Sequence, residues 1–127
     1  MMKMINSKIH GFLDYGLAAV FLIGPSILNF SAPMAQISYS FGIVALAVGI
    51  LTDFPLGLVK VIPFRVHGKI DLVLSVMAVL IPWLMNFAHI VEARNFFVVL
   101  GLCWLIVWAL TDYRILGEFT PRLTPKT

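Results

Sequence analysis

Four apolar runs, at residues 9–30, 37–54, 70–90 and 95–113, leave this chain few ways to fold. Each is about 18 to 22 residues long, and a helix rising about 1.5 Å per residue then reaches across most or all of a hydrocarbon core near 30 Å thick. Segments this short must be helices in lipid, because only a helix satisfies its own backbone there. Hydrophobic residues make up 61% of the chain and charged residues 12%, about half the charged share of a soluble domain. The expected fold is therefore all-α: a polytopic membrane four-helix bundle. Residues 1–127 read as a single membrane domain, with an interfacial loop at about 55–65 and a cytoplasmic tail at 114–127.

Charge sets the expected orientation. Lys3 and Lys8 precede the first run, Lys60, Arg65 and Lys69 lie between the second and third, and Arg114, Arg122 and Lys126 follow the fourth. Eight of the nine basic residues thus fall on one side and only Arg94 on the other. By the positive-inside rule both termini are cytoplasmic, in a multi-pass protein of the inner (plasma) membrane. The same scatter, with no basic face, argues against nucleic acid despite a net charge of +3. The expected partner is membrane lipid, with a homo-oligomer left open. Cys103 is the only cysteine, which excludes an intrachain disulfide and a cysteine-rich metal site.

Slid along itself by 57 positions, the chain lays Ile9-His10-Gly11-Phe12-Leu13-Asp14 over Val66-His67-Gly68-Lys69-Ile70-Asp71, and Pro25, Asn29 and Phe30 over Pro82, Asn86 and Phe87. At a shift of 59, Leu51-Thr52-Asp53-Phe54 lies over Leu110-Thr111-Asp112-Tyr113. The rare residues match as well as the apolar ones, so the expected unit is a helical hairpin present twice, at about 9–54 and 66–113. Both copies start on the cytoplasmic side, which makes them parallel repeats about a two-fold axis along the membrane normal. The first run also has the look of a signal peptide, but its counterpart inside the chain favours a retained span.

Duplicated helix pairs with a proline-containing motif in the first helix of each pair resemble the SPW-repeat family of small prokaryotic integral membrane proteins. Here the motif positions read Gly24-Pro25-Ser26 and Ile81-Pro82-Trp83. The resemblance implies architecture and membrane location, and no activity.

Ionisable residues inside membrane helices are the functional candidates. His10 and Asp14 are four apart, as are His67 and Asp71, so each pair shares a helix face. Asp53 and Asp112 fall at the ends of the second and fourth runs, where the helix dipole opposes a negative charge and a partner is expected. All six are expected in one inward-facing layer near the cytoplasmic side. Three uses of that layer compete. It could be interhelical glue, with Thr52 and Thr111 also bonding across helices. It could be a divalent metal site, for an ion such as zinc, made by His10, Asp14, His67 and Asp71. It could be a proton-linked path, with Asp14 and Asp71 serving a small proton-coupled transporter or channel. No nucleophile elbow, phosphate loop or HExxH motif points to an enzyme.

A stripe continues up each odd helix through Ala18, Phe21, Pro25 and Asn29, and through Ser75, Ala78, Pro82 and Asn86. Pro25 and Pro82 are expected to kink their helices and to free the carbonyls of Phe21 and Ala78. Asn29 and Asn86 are expected to bond between helices. Gly42, Gly49 and Gly101 suit close helix contact, while His89 and Glu92 read as a solvated loop.

Overall fold

The computed structural model describes residues 4–113; the tail 114–127 and Lys3 lie outside the described residues. Helices α1 (Ser7–Ile27), α2 (Ala32–Ile50), α3 (Phe64–Leu84) and α4 (Val91–Leu110) form the bundle, and two residue pairs, β1 (Thr52–Asp53) and β2 (Ile62–Pro63), form a short parallel ladder between α2 and α3. The fold is all-α. Three helices, α1, α2 and α4, are long and apolar enough to cross a membrane. The fourth, α3, has 21 residues and carries Arg65, Lys69 and Asp71 in its first two turns.

Every helix starts and ends earlier than its apolar run. Asn6 caps α1, its side chain accepting from the Ile9 amide at 2.9 Å, so helix begins on polar residues. Pro33 sits in the first turn of α2, where a missing N–H costs nothing, and draws into the helix residues expected to be loop. At the other ends, Asn29 and Asn86 adopt left-handed backbone, with φ 54° and 61°. The Phe30 amide then returns to the Pro25 carbonyl at 3.0 Å and the Phe87 amide to the Pro82 carbonyl at 2.8 Å, closing each helix. Both asparagines are exposed, which corrects the expectation that they bond between helices: asparagine is used here for its tolerance of positive φ.

Pro25 and Pro82 are buried on the stripe as expected, each in the last turn of its helix. The carbonyl that Pro25 frees, on Phe21, accepts from the Ser38 hydroxyl of α2 at 2.6 Å. A lost intrahelical bond becomes a bond between helices.

The two helices of each hairpin share the most extensive contact, and α1 with α4 and α2 with α3 close a ring. Short parallel bridges tie one end of the ring, the end that carries the N-termini of α1 and α3, by two like joints. Thr52 after α2 pairs with Ile62 before α3, and Thr111 after α4 pairs with Ile5 before α1. The middle of the bundle is filled by Phe21, Phe41, Phe97 and Trp104, the last a core residue and not a lipid-facing one. Outside, Ile23, Val73, Val99 and Ile106 are exposed, so large apolar groups face outward while His10, Asp14, His67, Asp71, Ser38 and Ser75 are buried.

Gly101 decides how close α3 and α4 come, and Gly16 offers a contrast. A Cβ on Gly101 would stand 2.8 Å from the Val79 amide nitrogen and 2.9 Å from the Ser75 carbonyl oxygen, so α3 and α4 touch backbone to backbone. Gly16 has nothing within 4 Å of that position. Gly101→Ala is therefore expected to lower stability by about 1 to 3 kcal/mol through overpacking. Gly16→Ala should raise it by roughly 0.5 to 1 kcal/mol through helix propensity. Thermal melts in detergent check the pair, and equal effects would contradict this packing.

Candidate functional site

The stripe on α1 and the stripe on α3 meet on the bundle axis. One turn along each helix separates histidine from aspartate, so Nε2 and a carboxylate oxygen of the same helix come together, at 3.0 Å for His10–Asp14 and 3.1 Å for His67–Asp71. The same atoms also reach across: His10 Nε2 lies 2.9 Å from Asp71 Oδ2, and His67 Nε2 lies 2.7 Å from Asp14 Oδ2. The two Nε2 atoms are 3.3 Å apart. Each carboxylate thus serves both histidines, and each histidine both carboxylates. All four residues are buried, with none more than 4% exposed.

The far side of each imidazole is also fixed. His10 Nδ1 lies 2.8 Å from the Thr111 hydroxyl, and His67 Nδ1 lies 2.7 Å from the Thr52 hydroxyl. Each hydroxyl in turn lies against the carbonyl one helical turn back, Thr111 on Val107 at 2.6 Å and Thr52 on Val48 at 2.5 Å. A carbonyl only accepts, so the single hydroxyl proton goes to it, and the hydroxyl oxygen must accept from the ring. Nδ1–H is thereby assigned as the donor in both histidines, and Nε2 is the atom turned to the shared carboxylates.

The expected layer of six is in fact four residues and two threonines. Asp53 is exposed and Asp112 half-buried, whereas the preceding Thr52 and Thr111 are fully buried. Both helices stop short of these residues, at Ile50 and Leu110. In the extended backbone that follows, successive side chains face opposite ways, which turns threonine inward and aspartate away. Asp53 therefore stands at the surface of the bundle, and the Asp112 amide donates to the Ile5 carbonyl in the bridge.

Aromatic rings close the quartet on the side of the bridges. Phe64 stacks with Phe54 at 5.6 Å and meets the Tyr113 ring at 4.9 Å, while His10 packs edge-on to Phe64 and Tyr113. Burial raises the Tyr113 phenol well above its ordinary range, and the Asp71 and Asp14 carboxylates raise it further, so it stays neutral. Ring positions 54 and 113 were legible as a repeated aromatic after Thr-Asp; Phe64 has no such signal. Asp14 Oδ1 and Trp104 Nε1 are buried without a hydrogen-bond partner. His89 and Glu92 are both exposed, but only His89 lies in the loop, for Glu92 stands in the first turn of α4.

No family model matches the chain, and no curated protein or solved structure does so.

Proposed function

We propose that the chain is a four-span protein of the inner (plasma) membrane, with both termini cytoplasmic, whose working part is the His10–Asp14–His67–Asp71 quartet. The quartet is a charge-balanced centre that docks two hairpins of common, SPW-repeat-like design and holds a cation, proton or metal ion, between them. The apolar exterior and the eight-to-one distribution of basic residues support the membrane placement. Support for the duplication comes from bonds that recur at the same offsets: histidine to threonine, threonine to carbonyl, amide to proline carbonyl.

The observation that carries this reading is the threonine-fixed ring orientation. With Nδ1–H committed to threonine, a bare Nε2 lone pair would face carboxylate oxygens at 2.7 to 3.1 Å, which is repulsive. Each Nε2 must therefore hold a proton, accept one from a protonated carboxyl, or share a metal ion. Nitrogen-15 spectra of histidine-labelled protein test this: Nδ1 should carry hydrogen in both His10 and His67, with Nε2 bearing a proton or a metal. A bare Nδ1 on either ring would remove the reading.

A second reading, a small proton-coupled transporter or channel, draws on Asp14 Oδ1, which is buried and unbonded and can take up a proton. Proton flux into liposomes that stays unchanged in Asp14→Asn/Asp71→Asn would eliminate it.

A further inference from the structure

We infer that the quartet is a binding site for one divalent first-row transition metal ion of the zinc type, and that Thr52 and Thr111 are the positioning residues that aim its two histidines. The inference rests on the reading that the quartet holds a cation, and it names which cation.

The donor set comes first. Four ligand atoms, one from each of His10, Asp14, His67 and Asp71, lie within 4.8 Å of one another. Two imidazole nitrogens and two carboxylate oxygens suit zinc-like ions. Calcium and magnesium are poorly served, since they take six or more oxygens or keep several waters, and aromatic rings crowd this place. Spacing agrees. Zinc–nitrogen bonds of about 2.0 to 2.1 Å at a tetrahedral angle place two nitrogens roughly 3.3 to 3.4 Å apart. The two Nε2 atoms stand 3.3 Å apart. The nitrogen–oxygen separations of 2.7 to 3.1 Å would open by about 0.2 to 0.7 Å to reach that edge, and the two carboxylate oxygens, within 4.8 Å of each other, would draw together around the ion.

Charge selects the same class. Two carboxylates and two neutral imidazoles balance a doubly positive ion, leaving a centre with no net charge among apolar side chains. Asp14 Oδ1, buried and without a partner, supplies a spare oxygen beside the site. The Nδ1–H to threonine bonds complete the arrangement, since a metal-binding histidine ordinarily donates its other nitrogen to a neighbouring acceptor that fixes the ring.

The test uses the full chain purified in detergent, stripped with a chelator and titrated with zinc chloride or cobalt chloride. One ion should bind per chain, cobalt should show the intense visible bands of a four-coordinate site, and magnesium and calcium chloride should give no binding. Thr52→Val and Thr111→Val should each weaken zinc binding by about 10- to 100-fold, the usual cost of losing an outer-shell partner. Thr52→Ser and Thr111→Ser, which keep the hydroxyl, should bind as the parent does. His10→Ala/His67→Ala should lose the cobalt bands. Folded parent protein that takes up no zinc or cobalt would overturn the inference, as would equal uptake by His10→Ala/His67→Ala. In the first event, protons found on both Nε2 atoms would leave the cation-holding reading standing. A bare Nδ1 would end both.

Discussion

Asp14→Asn or His10→Ala alone should lower the stability of the bundle by about 3 to 5 kcal/mol, the cost of leaving a buried charge without its counter-charge. Either change strips a group that serves two partners, at 3.0 and 2.7 Å for Asp14 and at 3.0 and 2.9 Å for His10. The double variant His10→Ala/Asp14→Asn removes one charge of each sign and leaves His67 with Asp71, still paired at 3.1 Å. It should therefore be more stable than the sum of the single losses implies, by about 1 to 3 kcal/mol of coupling. Denaturation in mixed micelles measures all three. Strict additivity would mean that the four groups do not act as one unit.

The next largest effect is expected far from any charge, at Gly57→Ala. A Cβ on Gly57 would overlap the carbonyl oxygen of Thr52, a backbone atom that cannot swing aside. The Gly57 amide also donates to the Phe54 carbonyl at 3.0 Å, which holds this turn under α2. To relieve the overlap Thr52 must move, and its hydroxyl is what fixes His67. A loss of about 3 kcal/mol is expected, at the upper end for overpacking. The His67 nitrogen-15 resonances should shift while those of His10, held by Thr111, stay near their parent positions. Equal perturbation of both rings would show that the two threonines are not independent supports.

The apolar runs and the histidine–aspartate spacing carried most of what the structure displays. Four apolar runs can only be helices in lipid, and a four-residue interval can only place two side chains together on one face. The helix ends were harder, because hydrophobicity marks what lies in lipid and not where a helix stops. The left-handed turn at Asn29 and Asn86 and the proline at the start of α2 set the ends, and these are local backbone events. Asp53 and Asp112 were misplaced for the same reason: with the helix ends four and three residues earlier than the apolar runs, Asp53 is exposed and Asp112 half-buried in the backbone beyond the helix. The Ser38–Phe21 bond was half visible, since Pro25 advertises a freed carbonyl but nothing in the sequence says which hydroxyl will find it.

The bond within each helix, from His10 to Asp14 and from His67 to Asp71, bears on assembly. Either hairpin carries a complete, self-neutralised pair before it meets the other, so insertion of the first need not wait for synthesis of the second. Joining the halves then exchanges partners rather than discharging bare ions.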